Sequence, residues 1–174
     1  METLRATKID AVRRQIMTAL QLYFTDGDIV SVHTLAAAAF ELTKSICDAD
    51  GNRLDALSSY VDVLIRPEYK KLFWYTLSET ENFFKGLERN PPETHEFRPD
   101  QTENLLFFAV CQYQNVTADY PPLIRIFSAW YMIHHPEVFI TPPELSRLGK
   151  ELFPFEDKTL FYRIVLPLIQ SFQT

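Results

Sequence analysis

At 174 residues, 47% hydrophobic and 14% aromatic, the chain has the length and apolar content of a single domain that buries roughly 70% of its unfolded surface, which excludes a disordered polypeptide. A formal net charge of −6, from 17 Lys and Arg against 23 Asp and Glu, disfavours general affinity for nucleic acid. Two widely separated cysteines, Cys47 and Cys111, exclude a disulfide scaffold and read as reduced thiols in or near the core.

The N-terminus lacks the basic, apolar, small order of a signal peptide, and no apolar run approaches the roughly 20 residues that span a bilayer. A cytoplasmic protein with no membrane partner is expected. Fourteen Phe and eight Tyr exceed the needs of a minimal bundle core, so some rings are expected to line a partner surface or groove.

Ile9, Val12, Ile16, Ala19, Leu20 and Tyr23 recur at spacings of three and four, predicting a first helix. It ends at Thr25-Asp26-Gly27-Asp28, with Gly27 suited to the left-handed cap and Ser31 as N-cap of a second helix over about Val32 to Ile46. Val32, Leu35, Ala39, Leu42 and Ile46 share one face of that helix, and four consecutive alanines, Ala36 to Ala39, let neighbours approach closely. Arg53 to Ile65 fits a short helix. Pro67 then opens a third helix, whose core face runs from Tyr69 through Phe73 and Leu77 to Leu87.

Pro91, Pro92 and Pro99 make 88–99 a proline-rich loop. Asp100 and Glu103 match a capping box for a fourth helix ending near Asn115. Pro121-Pro122 introduces a fifth helix, Leu123 to His134, apolar nearly all round; it is expected to be the most buried or to meet a second subunit. Thr141 and Glu144 match another capping box, for a helix through Leu145, Leu148 and Leu152 that Pro154 stops. The tail from Asp157 to Phe172 starts helical, and Pro167 is expected to bend or end it. The whole predicts a single all-α domain over 1–174, a bundle of six to seven helices.

With four glycines there is no phosphate-cradling loop, and GxSxG, HExxH and CxxC are absent, so no cofactor and no metal is called for. His134 and His135 precede Pro136 at a helix end, where the dipole favours a cationic ring, and adjacent helical residues point about 100° apart, a poor geometry for chelating one metal. His33 is expected to bond a carboxylate or carbonyl, or to serve a site. Opposite the core face of the third helix lie Lys71, Trp74, Tyr75, Ser78, Glu81, Asn82 and Lys85. Packing of Trp74 against another helix and an i,i+4 pair between Glu81 and Lys85 account for this stripe. The sharper reading is a small-ligand pocket of His33, Glu41, Trp74, Ser78, Glu81, Asn82 and Lys85, provided the second and third helices are neighbours.

Arg89-Asn90 followed by His95 resembles the RxxxxxH-type motif of the HEPN helical-bundle family, here with Pro91-Pro92 between its ends. The family includes metal-independent ribonucleases and toxins in which Arg and His of two subunits converge on the scissile phosphate; the resemblance implies catalytic roles for Arg89, Asn90 and His95. The stretch Asp28-Ile-Val-Ser-Val-His-Thr-Leu-Ala-Ala-Ala-Ala-Phe-Glu41, followed by Glu81-Asn-Phe-Phe-Lys85, resembles a family of bacterial conserved proteins of unknown function. That likeness implies a bacterial source and an α-helical fold, without an activity; Gly86 stands where the family pattern has a His. The expected function is a non-enzymatic, self-associating helical protein, dimeric through Leu123 to His134.

Overall fold

The computed structural model describes residues 5–49, 64–71 and 98–171, together with Thr3 and Thr94. Within them lie six bounded α-helices: α1 (Lys8–Phe24), α2 (Ile29–Ala49), α3 (Pro99–Thr117), α4 (Pro122–His134), α5 (Glu144–Leu152) and α6 (Lys158–Ser171). A 3-10 turn, Pro136–Val138, follows α4. The fold is all-α, as the helical periodicity predicts. No helix among the described residues is long and apolar enough to cross a membrane. The segment 53–63, nearly all of the third predicted helix and most of the 88–99 loop lie outside the described residues.

A reciprocal capping box starts α1: Asp10 N donates to Thr7 Oγ1 at 3.1 Å and Thr7 N donates to Asp10 Oδ2 at 2.9 Å. The helix buries Val12, Ile16, Ala19, Leu20, Tyr23 and Phe24; of the predicted stripe only Ile9 is left partly exposed, and Phe24 joins it. Its exit differs in detail from the prediction. The left-handed residue is Asp26, with φ 52°, and Gly27 is required by close approach, since a Cβ there would lie 2.8 Å from Leu22 Cδ2. Asp28, not Ser31, caps α2: its Oδ2 accepts from Ser31 N at 2.8 Å and Ser31 Oγ at 2.6 Å, so the helix starts three residues early.

Buried Ala36, Ala37 and Ala39 give α2 a thin face, and α2 packs against both α1 and α3. α4 lies against α1, α3, α5 and α6. Ile124, Ile126, Phe127, Trp130, Tyr131 and Ile133 are buried there, and Arg125 is the one fully exposed residue of that helix. The all-round apolar character of Leu123 to His134, the expected dimer surface, is met largely by the chain's own helices. Of the two outcomes expected for that helix, burial is the one observed.

Neither predicted capping box on the C-terminal half forms. Arg98 precedes α3 without a capping side chain; Asp100 instead takes Arg98 Nη2 at 2.8 Å, and Glu103 turns inward. α3 ends at Thr117, two residues later than expected, with Ala118 at φ 52°. Pro143 precedes α5, again without a capping side chain. α5 sits on α4 through its small residues: Ser146 Oγ donates to the Met132 carbonyl, and a Cβ on Gly149 would collide with Ile133 Cγ1 and Cδ1. Pro167 lies inside α6 rather than ending it. Pro167 and Arg163, whose carbonyl loses its helical donor, are both exposed residues.

Two long-range ties close the fold. Residues 64–66 pair with 138–140, through Arg66 N to Val138 O at 3.0 Å and Ile140 N to Leu64 O at 2.8 Å, around an antiparallel bridge between Ile65 and Phe139. At the other tie, Lys158 Nζ meets Asp26 Oδ1 at 2.5 Å and Thr159 Oγ1 donates to Phe24 O at 2.9 Å, fastening the start of α6 to the α1–α2 turn.

Candidate functional site

His33, in the second turn of α2, is fully buried, with Nδ1 3.1 Å from Thr102 Oγ1 of α3. The Thr102 hydroxyl is thus one partner of the ring. Glu41 is half-buried eight residues further along α2, about 12 Å along the axis, so the two do not share one site by direct contact. Trp74, Ser78, Glu81, Asn82 and Lys85, and the HEPN-type Arg89, Asn90 and His95, lie outside the described residues.

The described polar chemistry is concentrated where α1, α3 and α4 meet. Glu103 is its hub: Oε1 accepts from Tyr23 OH at 2.5 Å, and Oε2 lies 2.5 Å from His135 Nε2. Tyr23 OH in turn accepts from Trp130 Nε1 at 2.8 Å. On the far side of His135, Nδ1 is 3.4 Å from Glu137 Oε1. Tyr131 OH donates to Asn104 Oδ1 one residue from the hub. The His134 ring lies 3.7 Å from that of Trp130, and its buried Nε2 has no hydrogen-bond partner among the described residues.

The electrostatics follow from these contacts. Burial works against a charged Glu103, but the hydrogen bonds from His135 and Tyr23 outweigh it and hold the carboxyl below its ordinary range. Burial likewise opposes the His135 cation, and Glu103, aided by Glu137, overcomes it and raises the pKa. His134 goes the other way, lowered by burial and then by the neighbouring His135 charge. Tyr23 is pushed well up by burial and by Glu103, so it remains a phenol. Both Glu103 oxygens are engaged and the Tyr23 hydroxyl is sealed in the core, so these hydrogen bonds tie α1, α3 and the end of α4 together. Among the described residues no group of three His, Cys, Asp or Glu side chains is placed to hold a metal ion.

Sequence reasoning read Glu103 as a cap and the histidine pair as helix-end charges. The signal for the network was the ionisable pair closing the most apolar helix, where a buried cation requires a carboxylate partner.

The second unusual surface is apolar and exposed. Because α5 buries Ser146 and Gly149, its leucines Leu145, Leu148 and Leu152 face outward, Leu152 at 72% exposure. α6 adds Leu160, Ile164 and Leu168, one per turn, all exposed. No protein-family model, curated protein or solved structure matches the chain. Function is therefore read from these surfaces alone.

Proposed function

We propose that the protein is non-enzymatic and associates with a second copy of itself through the aliphatic stripes of α5 and α6. The observation that carries this reading is the inverted packing of α5, which turns its small residues to the core and its leucines to solvent. Scattered exposed leucines are ordinary on a surface; two helical stripes of three, on helices that both rest on α4, are not.

Charge favours a second copy as the occupant. Between Glu144 and Ser171, the acids Glu144, Glu151, Glu156 and Asp157 are matched by Arg147, Lys150, Lys158 and Arg163, so the segment that carries both stripes is neutral in a chain carrying −6 overall. Two copies meeting there avoid the repulsion that their remaining surfaces would generate. Sedimentation velocity across a concentration series tests the reading: a concentration-dependent shift from monomer to dimer is expected, and a monomer throughout the micromolar range overturns it.

A further inference from the structure

A cavity of about 330 Å³ lies between α3, α4 and the paired segments 64–65 and 139–143. Leu64, Ile65, Phe107, Phe108, Met132 and Phe139 supply its apolar walls. The walls are tied to the fold: Ile65 and Phe139 are joined by the β-bridge, and Phe107 is stacked on Tyr131 with ring centroids 4.0 Å apart. Among the described residues that line it none is charged. Gln114, Ser128 and Thr141 provide the polar groups, and none of their side chains is hydrogen-bonded to another described residue. Cys111 completes the lining; burial pushes its thiol up to about 12, which keeps it neutral at physiological pH.

We infer that this cavity binds a small neutral molecule of one or two fused rings bearing a single hydrogen-bonding group. The volume sits at the lower end of the roughly 300–1,000 Å³ range of ligand pockets, which limits the occupant to that size. Phe107, Phe108 and Phe139 present ring edges and faces suited to an aromatic guest. The uncharged lining rejects an ionised one, since no counter-charge replaces its lost hydration. The unengaged amide and hydroxyls orient one polar group. The neutral thiol takes part as surface, with no covalent step.

The chain has three methionines, Met1, Met17 and Met132, and of the two that are described only Met132 lines the cavity, so methyl-labelled methionine NMR reads the site directly. Indole is the probe, with indole-3-carboxylate as its charged counterpart. Indole is expected to shift the Met132 methyl saturably at up to millimolar concentration while Met17 stays fixed, and the carboxylate to bind about tenfold more weakly or less. Cys111→Phe fills the cavity and is expected to abolish the shift while Met17 keeps its native position. Ser128→Leu, smaller and on the facing helix, serves the same purpose where Cys111→Phe does not fold. An unmoved Met132, an equal shift at Met17, equal affinity for the carboxylate, or undiminished binding to the filled variant overturns the inference. The site is separate from the self-association face, and the outcome at Met132 is independent of the oligomeric state.

Discussion

Glu103 and His135, 32 residues apart in sequence, meet at 2.5 Å where α3 and α4 close on one another. Because the His135 pKa is raised above 6.5, its contribution to stability is complete below pH 6.5 and is lost as pH rises through the raised folded value. His134, lowered from the same 6.5, contributes above that pH and loses its contribution as pH falls through the lowered value. Glu103, lowered from 4.5, adds a further loss in more acidic solution. Stability by urea denaturation is therefore expected to peak near pH 6.5, set by two adjacent histidines of opposite slope. His135→Gln should flatten the alkaline arm and His134→Gln the arm just below the peak; unchanged arms in both variants would sink this account.

Tyr23→Phe removes a hydroxyl that both donates to Glu103 and accepts from Trp130. Two buried polar groups lose a partner, so a loss of about 1–3 kcal/mol is expected in equilibrium unfolding. A loss within error of zero would mean that the hydroxyl does not hold α1 to the other two helices.

Gly149→Ala forces a Cβ into Ile133 Cγ1 and Cδ1 at the α4–α5 seat. Overpacking of this kind costs about 1–3 kcal/mol. Ile133→Val, which removes Cδ1, should recover part of that cost, giving a coupling of roughly 0.5 kcal/mol or more in a double-mutant cycle. Strict additivity would show that α5 is not seated on Ile133.

The double substitution Leu148→Glu with Leu152→Glu places charge on the exposed stripe of α5. Self-association is expected to disappear in sedimentation, with monomer stability changed by no more than about 1 kcal/mol, because neither residue is in the core. Retained association would move the interface elsewhere.

The helices were readable because each carries a 3.6-residue apolar period that tertiary packing then used, as in Val12, Ile16, Leu20 and Tyr23 of α1. The caps were less so. Asp28 and Ser31 both have suitable side chains, and only the geometry of the turn from Asp26 selects between them. Glu103 satisfies a local capping pattern and a long-range network equally well on paper; its actual partners lie 80 and 32 residues away, and no local window contains them. Pro167 reads as a stop, yet an exposed helical face tolerates the lost bond that a buried one would not. In α5 the period locates the leucine stripe correctly, but which face turns inward is decided by the close fit of Gly149 against Ile133. The ligand pocket and the ribonuclease motif were drawn from residues that, His33 and Glu41 apart, lie outside the described structure. The cavity lined by Met132 has no local signature, since its walls come from four separate stretches of chain.

The clasp of Lys158 and Thr159 on Phe24 and Asp26 spans more than 130 residues. During synthesis, α1 and α2 emerge before α6, and the turn that joins them stays unfastened until α6 has been made. With translation at about 5–20 residues per second, that interval lasts several seconds or longer. The α1–α2 hairpin is thus locked by a segment made well after it, and emergence of α6, rather than of α1 and α2 themselves, fastens their turn.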